Sequence, residues 1–369
     1  MSMYLLVKPA SGACNLQCRY CFYADEMKHR VHGVRPFMTE ERFARLLYRA
    51  AEHLQKRNDR VLSIGFQGGE PTLVGLPFFR RAVALTKEII PPSVKVDFYM
   101  QTNGLCIDDA FAAFFAENNF LVGLSLDGTR EINDRLRVDG QQKGSHSEII
   151  HAIRLLKQYH CQFNILTVVT AELARHPVQV YNYYKKQGLQ YQQYIPCIPG
   201  FEETPQPHTL TPESYGKFLC TLFDLWYQDF ARGEMIVNRE FENYVGILCN
   251  LYPEECGKSG RCAVQYVVEA DGSVYPCDFY ALDAYLLGNI DDNSFDQMDE
   301  QVRRIGFVER SIPLPEECMQ CSYGVLCRGG CYRYRDAAGK NILCEAYSMF
   351  FAYTLPRLQK LAQYVKRRK

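Results

Sequence analysis

Cysteines are the residues of this chain whose number and spacing point most directly to chemistry. Eleven of the sixteen fall into two sets, Cys14, Cys18 and Cys21 near the start and eight more between Cys256 and Cys344. Thiolates are the usual ligands of iron-sulfur clusters, whereas a single zinc ion takes only four ligands. Two sets of this size therefore predict more than one iron-sulfur cluster.

The first set has the pattern C-x3-C-x2-C, with Tyr20 directly before its last cysteine. Three thiolates on one short loop can bind three irons of a cubane cluster and leave the fourth iron open for reaction. A zinc knuckle is the alternative, but it requires a fourth nearby ligand, and His29 and His32 do not complete a familiar spacing. We therefore predict a cluster with one open iron.

The second set holds enough thiolates for two fully ligated clusters. Its members are Cys256, Cys262, Cys277, Cys318, Cys321, Cys327, Cys331 and Cys344. A cubane cluster with four cysteine ligands has no open iron, which favours electron transfer over substrate activation. Two zinc sites of four thiolates each are the structural alternative, because C-x2-C pairs also occur in zinc folds.

Charge and composition argue against several classes of protein. The 42 basic residues balance 42 acidic ones, so no broad positive field is available to attract nucleic acid. No run approaches the roughly 18 apolar residues of a membrane span, and no export signal is recognisable. We expect a cytoplasmic protein without nucleic-acid or membrane partners, whose thiols stay reduced. The remaining cysteines are expected to be small buried residues: Cys106, Cys161, Cys197, Cys220 and Cys249.

Up to about Cys197, short strand-like runs alternate with amphipathic helical stretches. The six predicted strands cover residues 4–8, 61–66, 94–101, 121–126, 163–169 and 191–195. This alternation predicts an α/β fold with a parallel sheet, which can curl into a partial (β/α)6 barrel of the TIM type. Helices predicted at residues 39–56, with Thr39 as N-cap, and at 147–159 would cover this sheet.

Chemistry in such barrels gathers at the carboxyl ends of the strands. The segments 14–21, 68–71, 102–104 and 125–128 each follow or close a predicted strand. In the second half, two strand-like runs flank Asp271-Gly272, which predicts a hairpin that presents Cys277 and Asp278 at its end. Residues 315–344 show too little apolar periodicity for self-supporting structure, so we expect metal to hold them together.

Three segments are expected along the chain. A proline-containing linker is predicted at residues 200–211, and a helix follows from Pro212 to about residue 230. Another helix is predicted from about residue 345 to 367, before a basic tail. We therefore expect a barrel domain at 1–235, a cysteine-rich auxiliary domain at 236–344, and a C-terminal helix at 345–369.

The early motif C-x3-C-x-aromatic-C, together with Gly68-Gly69-Glu70-Pro71 after the second strand, resembles the radical S-adenosylmethionine enzymes. In that family the open iron chelates S-adenosylmethionine, and an electron cleaves its sulfonium to give a 5′-deoxyadenosyl radical. The resemblance implies that Glu70 meets the ammonium of the cofactor. It implies further cofactor contacts by Tyr20, Asn103, Ser125 and Arg137. The alternatives are an ordinary turn at 68–71, a turn asparagine and a small packing serine.

The second set, with nine residues between Cys262 and Gly272 and the pattern C-x2-C-x5-C-x3-C from Cys318, resembles the SPASM extension of these enzymes. The resemblance implies a C-terminal SPASM domain with two auxiliary clusters, and hence three 4Fe-4S clusters and S-adenosylmethionine as cofactors. One auxiliary cluster is assigned to Cys256, Cys262, Cys277 and Cys331. The other is assigned to Cys318, Cys321, Cys327 and Cys344.

Over nearly its whole length the sequence resembles the anaerobic sulfatase-maturating enzymes. Segments that carry this likeness include residues 8–10, 18–23, 66–72, 101–104 and 271–280. That family oxidises a cysteine or serine of a sulfatase to formylglycine. Hydrogen is abstracted from the β-carbon, a base removes the thiol or hydroxyl proton, and a second electron leaves through an auxiliary cluster. The resemblance implies a sulfatase partner with a Cys/Ser-x-Pro-x-Arg type motif and a reducing electron donor.

By the same resemblance, Asp278 beside the ligand Cys277 matches the family's proposed base. A carboxylate held away from water suits this role, since partial desolvation raises basicity. A solvated aspartate at a hairpin end is the alternative. Gln67 and Tyr23 match positions that meet the peptide or lie by the reactive carbon, and either could instead line the barrel.

Two other functions fit part of the pattern. Another SPASM peptide maturase, for example one that forms a thioether crosslink, commonly carries an additional N-terminal recognition domain, whereas the radical motif here begins by Cys14. A passive electron carrier would explain the clusters but not Glu70, the barrel pattern or the open iron. We expect the sulfatase reaction, which cleavage of S-adenosylmethionine and formation of an aldehyde would distinguish from both.

Overall fold

The structure, a computed structural model, describes residues 2–31, 37–197, 199–201 and 206–367. Residues 202–205 of the predicted linker and the last two residues of the basic tail lie outside the described residues. Contacts divide the chain into two units. The first unit comprises Met1–Ser125, Arg137–Phe163 and Ala263–Phe307, and the second comprises Leu126–Leu136, Asn164–Cys262 and Val308–Lys369.

Apolar runs in the first part of the chain form the strands that the sequence predicts, with ends that differ by no more than two residues. The strands are β1 Ser2–Lys8, β2 Val61–Phe66, β3 Lys95–Thr102, β4 Leu121–Ser125, β5 Gln162–Val169, β6 Tyr191–Pro196, β7 Val237–Asn238, β8 Val267–Glu269, β9 Ser273–Tyr275 and β10 Gly288–Asn289. In the first unit they form a sheet with the order β10-β9-β8-β1-β2-β3-β4. Strands β1 to β4 are parallel neighbours, and Leu5, Leu62 and Ile64 are fully buried, as is typical of parallel strands covered on both faces.

Amphipathic helices follow the strands. They are α1 Phe22–Lys28, α2 Glu40–Arg57, α3 Leu76–Ile89, α4 Asp109–Glu117, α5 Arg130–Leu136, α6 His146–Gln158, α7 Pro177–Lys186, α8 Pro212–Ala231, α9 Arg239–Leu248, α10 Phe295–Ile305, α11 Glu316–Met319, α12 Gly324–Cys327 and α13 Cys344–Lys366. As predicted, Thr39 is the N-cap of α2, and its side chain accepts a hydrogen bond from the Arg42 amide at 3.2 Å. The C-cap is Asn58 in the left-handed conformation, and its backbone amide donates hydrogen bonds to carbonyls of the last turn of the helix.

The predicted hairpin is present as the antiparallel pair β8 and β9. Gly272 takes a φ of +86° in its turn, a conformation that a glycine adopts without strain. Strand β8 also pairs in parallel with β1, which places Lys8 opposite Glu269. The sequence did not predict this pairing, because it joins segments about 260 positions apart. It brings the hairpin end into the same unit as the early cysteines.

The second unit contains the parallel neighbours β5, β6 and β7. Helices α8, α9 and α13 pack together there through aromatic rings, with the Phe223 centroid 5.2 Å from that of Phe241 and 5.8 Å from that of Phe350. Residues 315–344 contain little regular structure. They form the two short helices α11 and α12, a single 3-10 turn at Tyr332–Tyr334 and an isolated β-bridge between Arg335 and Asn341. No helix among the described residues has both the length and the apolar character needed to cross a membrane.

Replacing Gly272 with alanine tests the hairpin turn. A Cβ there would lie 2.7 Å from Asn289 Oδ1 and 2.9 Å from Ile290 Cγ1, so the substitution adds a steric clash to the strain of a positive φ. Gly233→Ala is the matched control, since Gly233 has a φ of +77° and no atom within 4 Å of its Cβ position. We expect the control to cost about 1 kcal/mol and Gly272→Ala to lower the thermal midpoint clearly further. Equal shifts would contradict the steric account.

Candidate active site

The loop between β1 and α1 carries the first cysteine set. Cys21 is the N-cap of α1, and its Sγ accepts a hydrogen bond from the Ala24 amide at 3.4 Å. Cys14 Sγ accepts one from the Leu16 amide, also at 3.4 Å. Amide donors of this kind favour the thiolate, which is the form that binds iron. We call this segment, residues 9–21, the cysteine loop.

Cys18 and Cys21 lie close enough to Cys14 to influence its ionisation. Desolvation raises the pKa of Cys14, and the charges of Glu70, Cys18 and Cys21 raise it further, whereas the Leu16 amide lowers it. The residue is nevertheless exposed at the surface, although its thiol is surrounded largely by protein. Coordination to iron overrides such a shift, because a metal deprotonates a bound thiol. This donor set therefore fits three irons of a cubane cluster.

The Gly68-Gly69-Glu70 segment after β2 is joined to the cysteine loop by backbone hydrogen bonds. The Gly69 amide donates to the Ser11 carbonyl at 2.7 Å, and the Glu70 amide donates to the Ala13 carbonyl at 2.8 Å. A Cβ on Gly69 would lie 2.1 Å from the Ala13 oxygen, so only glycine fits at this position. The glycine pair thus permits a close approach of two loops that follow neighbouring strands.

Glu70 is completely buried. Its Oε1 accepts hydrogen bonds from the Thr72 amide at 3.0 Å, from Thr72 Oγ1 at 2.5 Å and from Thr102 Oγ1 at 2.7 Å, and its Oε2 accepts one from the Asn103 amide at 2.7 Å. Burial raises the pKa of Glu70, although these four bonds act in the opposite direction. Both oxygens are engaged by the protein, so the carboxylate links the segments that follow β2 and β3. A contact between Glu70 and the cofactor ammonium stays a prediction.

Four other predicted cofactor-site residues also lie in the first unit. Asn103 follows β3, and its Nδ2 is 3.7 Å from Cys14 Sγ. Ser125 is the last residue of β4. Arg137 is buried and donates a hydrogen bond from Nη1 to the hydroxyl of Tyr20 at 2.7 Å. The structure thus places Asn103 beside the cysteine loop and joins Arg137 to Tyr20 within that loop, while the cofactor contacts themselves stay predictions.

Asp278 follows β9 and is only 8% exposed, so it is not the solvated aspartate of the alternative interpretation. Its Oδ1 lies 2.6 Å from Lys8 Nζ, and its Oδ2 accepts a hydrogen bond from Gln67 Nε2 at 2.8 Å. Lys8 is the last residue of β1, and Gln67 directly follows β2. The carboxylate is therefore held from two neighbouring strand ends, by an ion pair at one oxygen and an amide donor at the other.

Tyr23 is buried beside Glu269 and Lys8, and its predicted contact with the peptide stays a prediction. It is 3% exposed, and its hydroxyl donates a hydrogen bond to Glu269 Oε1 at 2.5 Å. Lys8 Nζ lies 3.4 Å from the centroid of its ring, a cation–π contact. Burial raises the pKa of Tyr23 well above its usual value, and the charge of Glu269 adds to this shift. The Tyr23 ring therefore packs against Lys8, which in turn pairs with Asp278.

Glu269, at the end of β8, is the centre of a buried charge cluster that sequence reasoning missed. It accepts hydrogen bonds from Ser11 Oγ at 2.6 Å and from Arg30 Nη1 at 2.7 Å. Burial acts to raise the pKa of Glu269, but the Lys8 and Arg30 cations and the hydrogen bonds outweigh it, so the pKa lies below the usual range. A signal was present in the sequence, since Lys8 and Glu269 are charged residues that end apolar strands.

The structure brings seven later cysteines of the second unit into two groups. One group comprises Cys318, Cys321, Cys327 and Cys344, and the other comprises Cys256, Cys262 and Cys331. Burial and the charges of its three neighbours raise the pKa of Cys327 to about 11. Burial and the charges of Cys256 and Cys262 raise the pKa of Cys331 to about 12. These grouped thiols provide one set of four donors and one set of three.

Cys277 belongs to the first unit and directly precedes Asp278. Within the described ranges, no three His, Cys, Asp or Glu side chains converge as the ligands of one metal ion do. The cysteine ligands of a cubane cluster bind separate irons, so they need not converge on one point. The thiol sets of both units thus have the chemistry that cubane clusters require.

Comparison with known proteins places this geometry in a family. Residues 9–183 match the model of the radical SAM superfamily, and residues 259–322 match the SPASM model, an iron-sulfur cluster-binding domain. The chain is 38% identical to a cysteine-type anaerobic sulfatase-maturating enzyme of Clostridium novyi (strain NT), over 98% of both chains. It is 41% identical to one of Clostridium perfringens (strain ATCC 13124), over 98% of this chain and 99% of the relative. This chain belongs to the anaerobic sulfatase-maturating enzymes.

A solved structure supports the same relationship. Native anSMEcpe with bound AdoMet and Cp18Cys peptide matches this chain with a TM-score of 0.92 and 39% identity, over 99% of this chain and 100% of that one. The predicted fold class is confirmed: the chain has a mixed α/β radical SAM fold with a parallel sheet and a SPASM domain. It is a radical S-adenosylmethionine enzyme whose cofactors are 4Fe-4S clusters and S-adenosylmethionine, and three clusters fit its cysteine sets.

Replacing Gly69 with alanine tests the junction between the glycine pair and the cysteine loop. The added methyl group cannot fit against the Ala13 carbonyl, so we expect the loop to shift and its three thiols to lose the cluster. Iron analysis after anaerobic reconstitution should then give about eight irons per chain instead of about twelve. Gly246→Ala is the control, because its Cβ position in helix α9 has its nearest neighbour at 3.9 Å. Full iron content in the Gly69 variant would contradict the steric argument.

Proposed function

We propose that this protein oxidises a cysteine of a sulfatase polypeptide to Cα-formylglycine, within a motif of the Cys/Ser-x-Pro-x-Arg type. The names of the relatives favour cysteine over serine as the target. The observation that carries the proposal is the buried Asp278 carboxylate, held by Lys8 and Gln67 in the same unit as the cysteine loop. A base in that position meets the chemical need of the reaction, which must remove a proton from the target side chain.

We assign the eleven cluster ligands as the sequence predicts. Cys14, Cys18 and Cys21 hold the cluster that binds S-adenosylmethionine. Cys256, Cys262, Cys277 and Cys331 hold one auxiliary cluster, and Cys318, Cys321, Cys327 and Cys344 hold the other. When bound, these groups supply an acceptor for one hydrogen atom of the substrate β-carbon and an acceptor for one further electron.

Asp278 accepts the thiol proton of the target. Loss of one hydrogen atom, one proton and one electron converts the CH2–SH group into a thioaldehyde, a two-electron oxidation. Water then replaces the sulfur, which leaves as hydrogen sulfide and yields the aldehyde. Gln67 holds one oxygen of Asp278 through its amide group, and in the proposal its side chain also meets the peptide. We also assign Tyr23 to the substrate site, where its ring contacts Lys8.

The remaining assignments concern the cofactor and the setting. We assign five residues to S-adenosylmethionine binding: Tyr20, Glu70, Asn103, Ser125 and Arg137. The four hydrogen bonds that Glu70 accepts from the protein also hold the segments around this site in place. We further propose domains at 1–235 and 236–344, with a closing helix at 345–369. A reducing electron donor in the cytoplasm is required, because each turnover begins with reductive cleavage of the cofactor.

The Asp278→Asn variant tests the proposed base. Asparagine keeps the shape of the side chain and the contact with Gln67 but cannot accept the proton. We expect it to cleave S-adenosylmethionine in the presence of a Cys-x-Pro-x-Arg peptide while aldehyde formation falls by about a hundredfold or more. Mass spectrometry distinguishes the products, since formylglycine has lost sulfur and gained a carbonyl oxygen, whereas a thioether has lost only hydrogen.

Wild-type protein is the reference in the same assay. Its failure to produce aldehyde from the peptide would reject the proposed reaction. Undiminished aldehyde formation by Asp278→Asn would leave the reaction in place and reject Asp278 as the base.

A further inference from the structure

Lys8 is an unusual residue for the interior of a protein. It is 0% exposed, and its ammonium lies 2.6 Å from Asp278 Oδ1 and 3.4 Å from the centroid of the Tyr23 ring. The distance to Asp278 is that of an ion pair, although its angle falls outside the range of a regular hydrogen bond. A buried ammonium without a counter-charge is strongly unfavourable, so the position of Lys8 depends on nearby anions.

Two carboxylates face Lys8, but one of them already has its own partners. Glu269, opposite Lys8 in the register of β1 and β8, accepts hydrogen bonds from Arg30, Ser11 and Tyr23. Arg30 compensates its charge at 2.7 Å. Within the part of the chain that the structure describes, no guanidinium contacts the Asp278 carboxylate, which meets the Lys8 ammonium and the neutral Gln67 amide. Lys8 is therefore the cation paired with Asp278, and its charge also acts on Glu269, which has Arg30 as a second cation.

The stem of Lys8 is held in place as well as its head group. A Cβ built on Gly68 would lie 3.2 Å from Lys8 Cβ and 3.4 Å from Lys8 Cγ, so the glycine next to Gln67 leaves just the space that the lysine stem occupies. Lys8 and Gln67 thus reach Asp278 from adjacent strands, and each engages a different carboxylate oxygen.

We infer that Lys8 is a positioning residue for the proposed base: it balances the charge of the Asp278 carboxylate and fixes its orientation. Gln67 completes this clamp on the second oxygen. The inference rests on the proposed function in so far as Asp278 accepts the substrate proton. The pairing itself is a separate claim, because it predicts how the two side chains contribute to stability without any turnover.

Lys8→Met is the informative variant, because methionine retains an unbranched apolar stem against Gly68 and Tyr23 but lacks the charge. Asp278 is then left buried beside Gln67 without a cation. We expect the reconstituted holoenzyme to keep cleaving S-adenosylmethionine and to yield aldehyde at a rate about tenfold or more below the wild type. The number of cofactors cleaved per aldehyde should rise accordingly.

A double-mutant cycle with Asp278→Asn separates this role from general damage. If Lys8 acts through Asp278, the double variant forms no less aldehyde than Asp278→Asn alone. Removing the buried anion together with its cation should also make the double variant thermally more stable than Lys8→Met, because the Asp278 anion is no longer buried without a cation, whereas Glu269 keeps Arg30 in both variants. Lys56→Met is the matched control, since Lys56 is an exposed lysine that pairs with Asp296 at 2.5 Å and should affect neither readout.

The outcomes are distinct. A double variant no more stable than Lys8→Met, or aldehyde losses that multiply, would overturn the inference. The inference would also be overturned if Lys8→Met cleaved no more cofactor per aldehyde formed than the wild type does. If Asp278→Asn proves fully active while the stability cycle shows coupling, the base assignment fails and the ion pair of Lys8 with Asp278 stands.

Discussion

The close backbone approach between Gly69 and Ala13 is the constraint on which the rest of the site depends. The cysteine loop has no regular secondary structure of its own before α1, so its shape must come from contacts with other segments. The Gly69 and Glu70 amides provide two such contacts, because each donates a hydrogen bond to a carbonyl of the loop. This close approach is possible only because position 69 has no side chain. The cysteine loop and the segment after β2 are thereby joined into one local structure.

Buried polar groups at the strand ends divide into two sets with different tasks. Glu70 is satisfied entirely by the protein and joins the segments after β2 and β3, which stabilises the frame around the cysteine loop. Asp278 is held by only one cation and one amide, both of which come from strand ends. A fully satisfied carboxylate rigidifies its surroundings, whereas a carboxylate with fewer partners retains lone pairs for a substrate proton.

Local patterns made much of this structure predictable. The strands, the N-cap at Thr39 and the hairpin around Gly272 follow from apolar periodicity and turn chemistry, which act over a few residues. The two sets of cysteines were recognisable because their spacing is also local, whereas their assignment to individual clusters stays a prediction. The parallel pairing of β8 with β1 was not, and neither were the contacts that depend on it. Glu269 meets Ser11 and Arg30 across more than 200 positions of sequence, and no local signal specifies such a partner.

Asp278 shows where sequence reasoning stopped and why. The resemblance to the family implied a carboxylate held away from water, and the residue is indeed buried. Desolvation alone, however, would make a buried anion costly, and no sequence pattern indicates a compensating cation 270 positions earlier in the chain. Lys8 removes that cost and also restricts the carboxylate to one orientation.

The adjacency of Cys277 and Asp278 then acquires a physical meaning. In the proposed reaction a proton and an electron must leave the same substrate carbon–sulfur unit. A proton travels only over the length of a hydrogen bond, whereas an electron tolerates a longer path, so the base must be placed more strictly than the cluster. In the proposed site, the base directly follows a cluster ligand, and Lys8 and Gln67 hold its carboxylate in position. The base is thus placed accurately for proton transfer, and the cluster stays close enough for electron transfer.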